Sequence, residues 1–171
     1  MEEKIPSPLT SSLNYGLYLG IALIVISLIY YLTGNFFVGS SQWVNYLVMT
    51  TGIVSAQLNY RKNTGDIMTY GQALSVGVLT MLFASIVLSV FTLLLYEFID
   101  PGLKEQMQLS LEEQLVNKGN MTEEQISVAM QLISTFQKPL VMAVMGIFSG
   151  TFTGLIISLI TSIFTKKKQP E

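Results

Sequence analysis

Cysteine and histidine are both absent from the 171 residues of this chain. Without cysteine there can be no disulfide and no thiolate metal site. Without histidine there is no imidazole ligand, no imidazole acid–base partner and no histidine-based triad. The missing cysteines identify no compartment. Charge is scarce too: only 12% of residues are Asp, Glu, Lys or Arg, against about a quarter in a soluble domain. The net charge of −2 argues against nucleic acid as a partner, since a duplex binder presents a basic face. The stretch TGDIMTYGQAL lacks the lysine and the spacing of a phosphate-binding loop. These absences predict a chain that is not an enzyme, with no metal and no cofactor.

The few charges are also clustered. They gather at the start of the chain, at Arg61 to Asp66, between Glu97 and Lys138, and from Lys166 onward. Half of all residues are hydrophobic and the mean hydropathy is +0.53. Four uncharged runs separate the clusters. The first, Tyr15 to Leu32, makes ~27 Å of helix, enough for one bilayer crossing. Its flank MEEKIPSPLTSSLN is not the basic region of a signal peptide, so it reads as a retained anchor. The second ends at Arg61–Lys62, the third begins at Tyr70, and the fourth opens near Pro139 and stops at Lys166 to Lys168. The expected architecture is all-α: one membrane domain over 1–171, with crossings at about 14–32, 43–60, 70–98 and 139–164 and an insert at about 101–138.

Four crossings place both ends on one side, and the positive-inside rule assigns that side to the cytoplasm. The inner segments then hold Lys4, Arg61, Lys62 and Lys166 to Lys168. The outer ones hold no basic residue in the turn 33–42, and Lys104, Lys118 and Lys138 in an otherwise acidic connection. Aromatic residues fit this orientation. Tyr15, Tyr60 and Tyr70 fall at the inner interface, and Tyr30, Tyr31, Trp43, Tyr46 and Tyr96 at the outer one, where an apolar ring with a polar tip is best accommodated.

Within 101–138 the pattern changes to helical period. Leu103, Met107, Leu111 and Leu115 recur every fourth residue, predicting an amphipathic helix that ends near Gly119. Thr122 with Gln125 three residues later predicts a capping box opening a second helix, whose stripe is Ile126, Met130, Ile133 and Phe136. The two apolar stripes could cover each other, lie on headgroups or bind a partner. Pro139 suits the first turn of the last crossing.

Small residues dominate the crossings. Gly146, Gly150, Gly154, Ser158 and Ser162 repeat every fourth residue, and Gly16 with Gly20, Gly52 with Ala56, and Ala73 with Gly77 repeat the spacing. Small side chains let helix backbones approach closely in lipid, either within one bundle or between copies. No Asp, Glu, Lys or Arg falls at mid-membrane, where ion and proton relays usually need one. Glu97, Asp100 and Asp66 are divided between the two predicted membrane faces, a poor basis for acid catalysis on a lipid.

TGDIMTYGQALSVG, together with YGLYLG, YEFIDPG, MTEEQI and GLIISLI followed by KKK, resembles the domain-of-unknown-function family 4199 over nearly the whole chain. The resemblance implies a small four-helix integral protein of the inner (cytoplasmic) membrane of Bacteroidetes-type bacteria, and it supplies no reaction or cofactor. The expected function is a non-enzymatic scaffold or accessory subunit, with the lipid bilayer, a second copy or a partner membrane protein as its contacts. The alternative is a small transporter or channel component.

Overall fold

The computed structural model describes residues 7–34, 42–117, 119 and 121–167. Lys4, Lys118 and Lys168 of the predicted charge asymmetry, and most of the turn 33–42, lie outside the described residues. Those residues form six α-helices: α1 Pro8–Leu32, α2 Gln42–Asn63, α3 Tyr70–Leu94, α4 Leu103–Asn117, α5 Glu123–Phe136 and α6 Pro139–Thr165. A π-helical turn, Leu95–Ile99, follows α3 directly. No strand occurs among the described residues; the only sheet-like feature is an isolated antiparallel bridge between Met68 and Lys167.

Local chemistry explains most of these boundaries. α1 starts earlier than the apolar run suggests because Ser7 caps it, accepting from the Thr10 N–H, and Pro8 occupies the first turn, where a missing N–H does no harm. α2 ends on Gly65 (φ +71°) followed by Asp66 (φ +62°). The Asp66 N–H reaches back to the Arg61 carbonyl at 3.0 Å, closing the last turn with left-handed residues that glycine favours and aspartate tolerates. α5 opens on the predicted capping box: Thr122 accepts from the Gln125 N–H, and the Gln125 side chain accepts from the Thr122 N–H.

The chain divides into two compact units. The first comprises 1–88 and 147–171 and holds α1, α2, most of α3 and most of α6. Its buried apolar residues form two clusters. Leu19, Leu23, Ile53, Met81 and Ala84 make one; Ala56, Tyr60, Met68, Ala73 and Val76, with Tyr15 against them, make the other. The second cluster joins the start of α1, the end of α2 and the start of α3, so α1 and α3 run in the same direction and α2 opposes them.

The second unit, 89–146, contains the end of α3, the π turn, α4, α5 and the first turns of α6. Leu103 is buried and Met107, Leu111 and Leu115 are half-buried, as are Ile126, Met130 and Ile133 of α5. A cavity of about 520 Å³ between these two helices is lined by Glu112, Val116, Glu123, Ile126, Ser127 and Met130. Phe136 departs from its stripe and is exposed, as are Val128 and Leu132. Tyr96, expected at an interface, is buried, and its hydroxyl donates to Met107 Sδ at 3.9 Å.

Among the described residues, three helices are long and apolar enough to cross a bilayer: Pro8–Leu32, Tyr70–Ile99 (α3 with its π turn) and Pro139–Thr165. α2, the second expected crossing, is a 22-residue helix but is less apolar, because Gln57, Asn59, Arg61 and Lys62 lower its hydropathy. α1 and α6 carry many of their large side chains outward. On α1, Leu9, Leu13, Leu17, Ile21, Val25 and Ile29 are exposed while Ser12, Gly16 and Gly20 are buried. On α6, Phe148, Phe152, Ile156 and Ile160 are exposed while Gly154, Ser158 and Ser162 are buried. A water-soluble protein hides its large apolar side chains and rarely exposes a contiguous apolar patch beyond a few hundred Å². This distribution is the reverse, and it suits a surface solvated by lipid.

Candidate functional site

The interior of the first unit is polar at its centre. Gln57, wholly buried on α2, is the point where three helices meet. Its Nε2 donates to the Ala73 carbonyl of α3 at 3.1 Å and to Ser162 Oγ of α6 at 3.2 Å. Its Oε1 accepts from Thr165 Oγ1 at 3.1 Å. An amide offers two donors and one acceptor oxygen, and this one uses both ends. One turn further along α2, Arg61 Nη1 donates to the Thr165 carbonyl at 3.2 Å. A carbonyl near a helix end has no partner within its own helix, and Arg61 supplies one.

Small residues make this approach possible. A Cβ on Gly77 would strike Ser158 and lie 3.0 Å from Gln57 Nε2. Gly150 lies against Ser85 and Gly154 against the Met81 side chain, so α6 faces α3 along this row. A Cβ on Gly16 would lie 2.8 Å from the Thr80 carbonyl, and one on Gly20 would lie 2.8 Å from Val87 Cβ, both on α3; Gly52 abuts Leu19 of α1. Ala56 and Ala73 are wholly buried, and so is Ser158. In the second unit, a Cβ on Gly146 would lie 3.0 Å from Ser89 Oγ. These glycines thus lie at close helix–helix contacts, and the alanines and Ser158 are buried. The predicted partner face is divided: Met107, Leu111, Leu115, Ile126, Met130 and Ile133 are half-buried, Leu103 is buried, and Phe136 faces outward.

Several other polar side chains tie one helix to another. Ser12 Oγ of α1 donates to the Val76 carbonyl of α3 at 3.1 Å. The Tyr70 hydroxyl donates to the Leu159 carbonyl at 3.2 Å. Ser89 Oγ donates to the Ala143 carbonyl at 3.2 Å within the second unit. Thr80 Oγ1 and Ser158 Oγ are buried without a hydrogen-bond partner among the described residues.

At the end of the first unit where α2 and α6 stop, charges collect. Asp66 pairs with Arg61 Nε at 3.0 Å and with Lys167. The Lys167 hydrogen bond foremost, and then the nearby charges of Lys167 and Arg61, hold the Asp66 carboxyl below its ordinary value of 3.8 despite some desolvation. Lys166 Nζ sits 5.8 Å from the centre of the Tyr70 ring, within cation–π range. Of the three carboxylates weighed for acid chemistry, Asp66 belongs to this cluster, Glu97 pairs with Lys104 in the second unit, and Asp100 accepts from the Gly102 N–H at 3.1 Å. Among the described residues no three His, Cys, Asp or Glu side chains are grouped so as to hold a metal.

Little in the sequence announces Gln57. It reads there as one weakly polar residue in an apolar run, and its partners are remote in sequence. The one available signal is a long amide side chain set in the second half of an apolar run.

Helices with a small, hydrogen-bonded interior and a large-residue apolar exterior define a helical protein with three helices fit to cross a membrane. The chain belongs to the family described as "Protein of unknown function (DUF4199)", whose model matches residues 14–167. No curated protein and no solved structure matches it.

Proposed function

We propose that the chain is a membrane-embedded scaffold or accessory subunit of the bacterial inner membrane that crosses the bilayer four times and packs with a second copy or a partner membrane protein. The observation that carries the embedding is the inverted distribution of side chains, with Phe148, Phe152 and Ile156 outside and Ser158, Ser162 and Gln57 inside. α2 becomes the fourth crossing because Gln57 satisfies its amide inside the protein, which removes the main penalty for a polar side chain at that depth. The gathering of Arg61, Lys62, Lys166 and Lys167 around the ends of α2 and α6 supports placing those ends in the cytoplasm. The insert 101–138 then lies outside. A non-enzymatic role fits the use made of Ser12, Gln57, Ser89 and Thr165, which bind helices to one another.

Two measurements test this reading. The native sequence has no cysteine, so single cysteines introduced at Asn63 and at Ser110 report topology without background. In whole cells a membrane-impermeant maleimide should label the Ser110 site and should reach the Asn63 site only after permeabilisation; the reverse pattern sinks the orientation. Affinity purification in mild detergent should recover the chain with itself or with a membrane partner, and a strictly monomeric, solitary chain sinks the scaffold role.

The buried, unpartnered Thr80 and Ser158 hydroxyls favour a second reading, a transporter or channel component with a path lined by Ser, Thr and Gln. Solute flux in proteoliposomes separates the two, since a scaffold gives none.

A further inference from the structure

α1 and α2 leave between them a groove of about 400 Å³, lined by Tyr15, Tyr18 and Ala22 on one side and Val48, Thr51 and Ser55 on the other. Its lining is almost wholly apolar, and it opens on the outer face of the first unit, where Leu17, Tyr18 and Leu47 are exposed. Val48, Ser55 and Lys62 are spaced seven apart on α2. Seven residues make almost two full turns, with a drift of only ~20°, so these three positions share one face. From Val48 to Ser55 is ~10 Å, and from Ser55 to Lys62 another ~10 Å. The groove therefore points along α2 toward a lysine in its last turn. Lys62 is exposed, and among the described residues its ammonium has no ion-pair or hydrogen-bond partner; its neighbour Arg61 is engaged by Asp66 and the Thr165 carbonyl.

We propose that this groove is a binding site for one anionic phospholipid, with an acyl chain between α1 and α2 and its phosphate headgroup on Lys62. The occupant follows from three features together. The groove is apolar and faces the lipid side of the protein. The ~20 Å from Val48, in the groove, to Lys62, about two turns past its last lining residue Ser55, covers most of one leaflet and its interface. A free cation on the groove's own helix face stands where a headgroup would lie, and a basic residue beside a crossing favours anionic over zwitterionic lipid. Tyr15 and Tyr18, packed edge to face at 6.4 Å, line the groove near that end with rings suited to the headgroup boundary. The proposal rests on the membrane-embedded reading above.

The test is native mass spectrometry of the full chain released from mild detergent after equilibration with phosphatidylglycerol and phosphatidylcholine of matched chains. Phosphatidylglycerol should be retained about fivefold better, the weight of one basic side chain beside an anionic headgroup. Lys62→Gln should remove the preference while lipid is still held. Ser55→Phe, at an exposed position lining the groove, should reduce retention of both lipids about as much. Thr51→Phe repeats that arm should Ser55→Phe shift the melting temperature. Equal retention of the two lipids, a preference that survives Lys62→Gln, or groove variants that hold lipid like the parent would overturn the proposal. So would a dimer that Ser55→Phe dissociates, since a second copy would then fill the groove. Carbonate washing of vesicles separates this failure from that of the underlying reading: a chain that stays in the membrane but shows no preference refutes the site alone, whereas one that washes out refutes the embedding.

Discussion

Met68 and Lys167 exchange a pair of backbone hydrogen bonds, the N–H of each donating to the carbonyl of the other at 2.9 Å. The pair joins the connection between α2 and α3 to the residues just beyond α6. It pairs backbone donors and acceptors that lie outside the helices. It also brings Lys167 to Asp66, which already holds Arg61. The end of the first unit is thus closed by two backbone bonds and a three-residue charge cluster.

That cluster makes stability depend on acid. The Asp66 carboxyl is held below 3.8 in the folded chain, so its contribution is fully present above that ordinary value. It is lost as pH falls through the lowered folded value. Melting of the native chain and of Asp66→Asn, followed from neutral pH down through the carboxylate range, should show the native chain more stable at neutral pH and the two curves converging in acid. Parallel curves would deny Asp66 this role.

The Gln57 junction is open to a double-mutant cycle. Gln57→Leu and Thr165→Val each remove one end of the 3.1 Å bond. The coupling between them should be about 1 kcal/mol, within the range found for hydrogen bonds between membrane helices. Reversible unfolding in mixed micelles measures it, and a coupling near zero would mean the bond forms without stabilising.

Overpacking tests the α3–α6 contact. Gly150 lies against Ser85, so Gly150→Leu should lower stability by about 1–3 kcal/mol, as added volume does in a filled interface. Thermal melting together with size exclusion reads the effect, and unchanged profiles would contradict close packing there.

The α5 cap gives a local prediction. Thr122→Ala removes the acceptor of the Gln125 N–H and should weaken the helix start by about 1 kcal/mol. Faster amide exchange should be confined to the first turns of α5, while α1 and α3 keep their protection.

Much of the helical layout was legible because its signals are local. Thr122 and Gln125 announce a helix start, Pro139 opens α6, and Gly119 (φ +65°) follows the end of α4. The spacing of Gly16 and Gly20, or of Gly150 and Gly154, marks faces that approach other helices. What each face meets was not legible. Gly16 meets α3 and Gly52 meets α1, and nothing in a four-residue repeat selects a partner. The helix of the first apolar run extends back to Pro8, and its Ser7 cap reads, in sequence, like any polar flank. α2 is the ambiguous element: its apolar run suggests a crossing, yet its polar residues dilute the signal, and the reason Gln57 is tolerated emerges only once Ala73, Ser162 and Thr165 surround it. Along the stripe of α5, Ile126, Met130 and Ile133 are half-buried while Phe136, in the last turn, is exposed, a difference that the spacing alone does not carry.

The π turn at Leu95–Ile99 carries a different kind of consequence. A π turn holds one residue more than the α-helical turn it replaces. Deleting one residue there should let the Asp100 N–H, which now reaches the Leu95 carbonyl, close an ordinary α-helical bond, so the loss is absorbed in the turn itself. A deletion inside a regular helix instead turns every later side chain of that helix by about 100°. The surplus residue is thus a place where the chain can shorten without re-aiming the faces on which α3 packs.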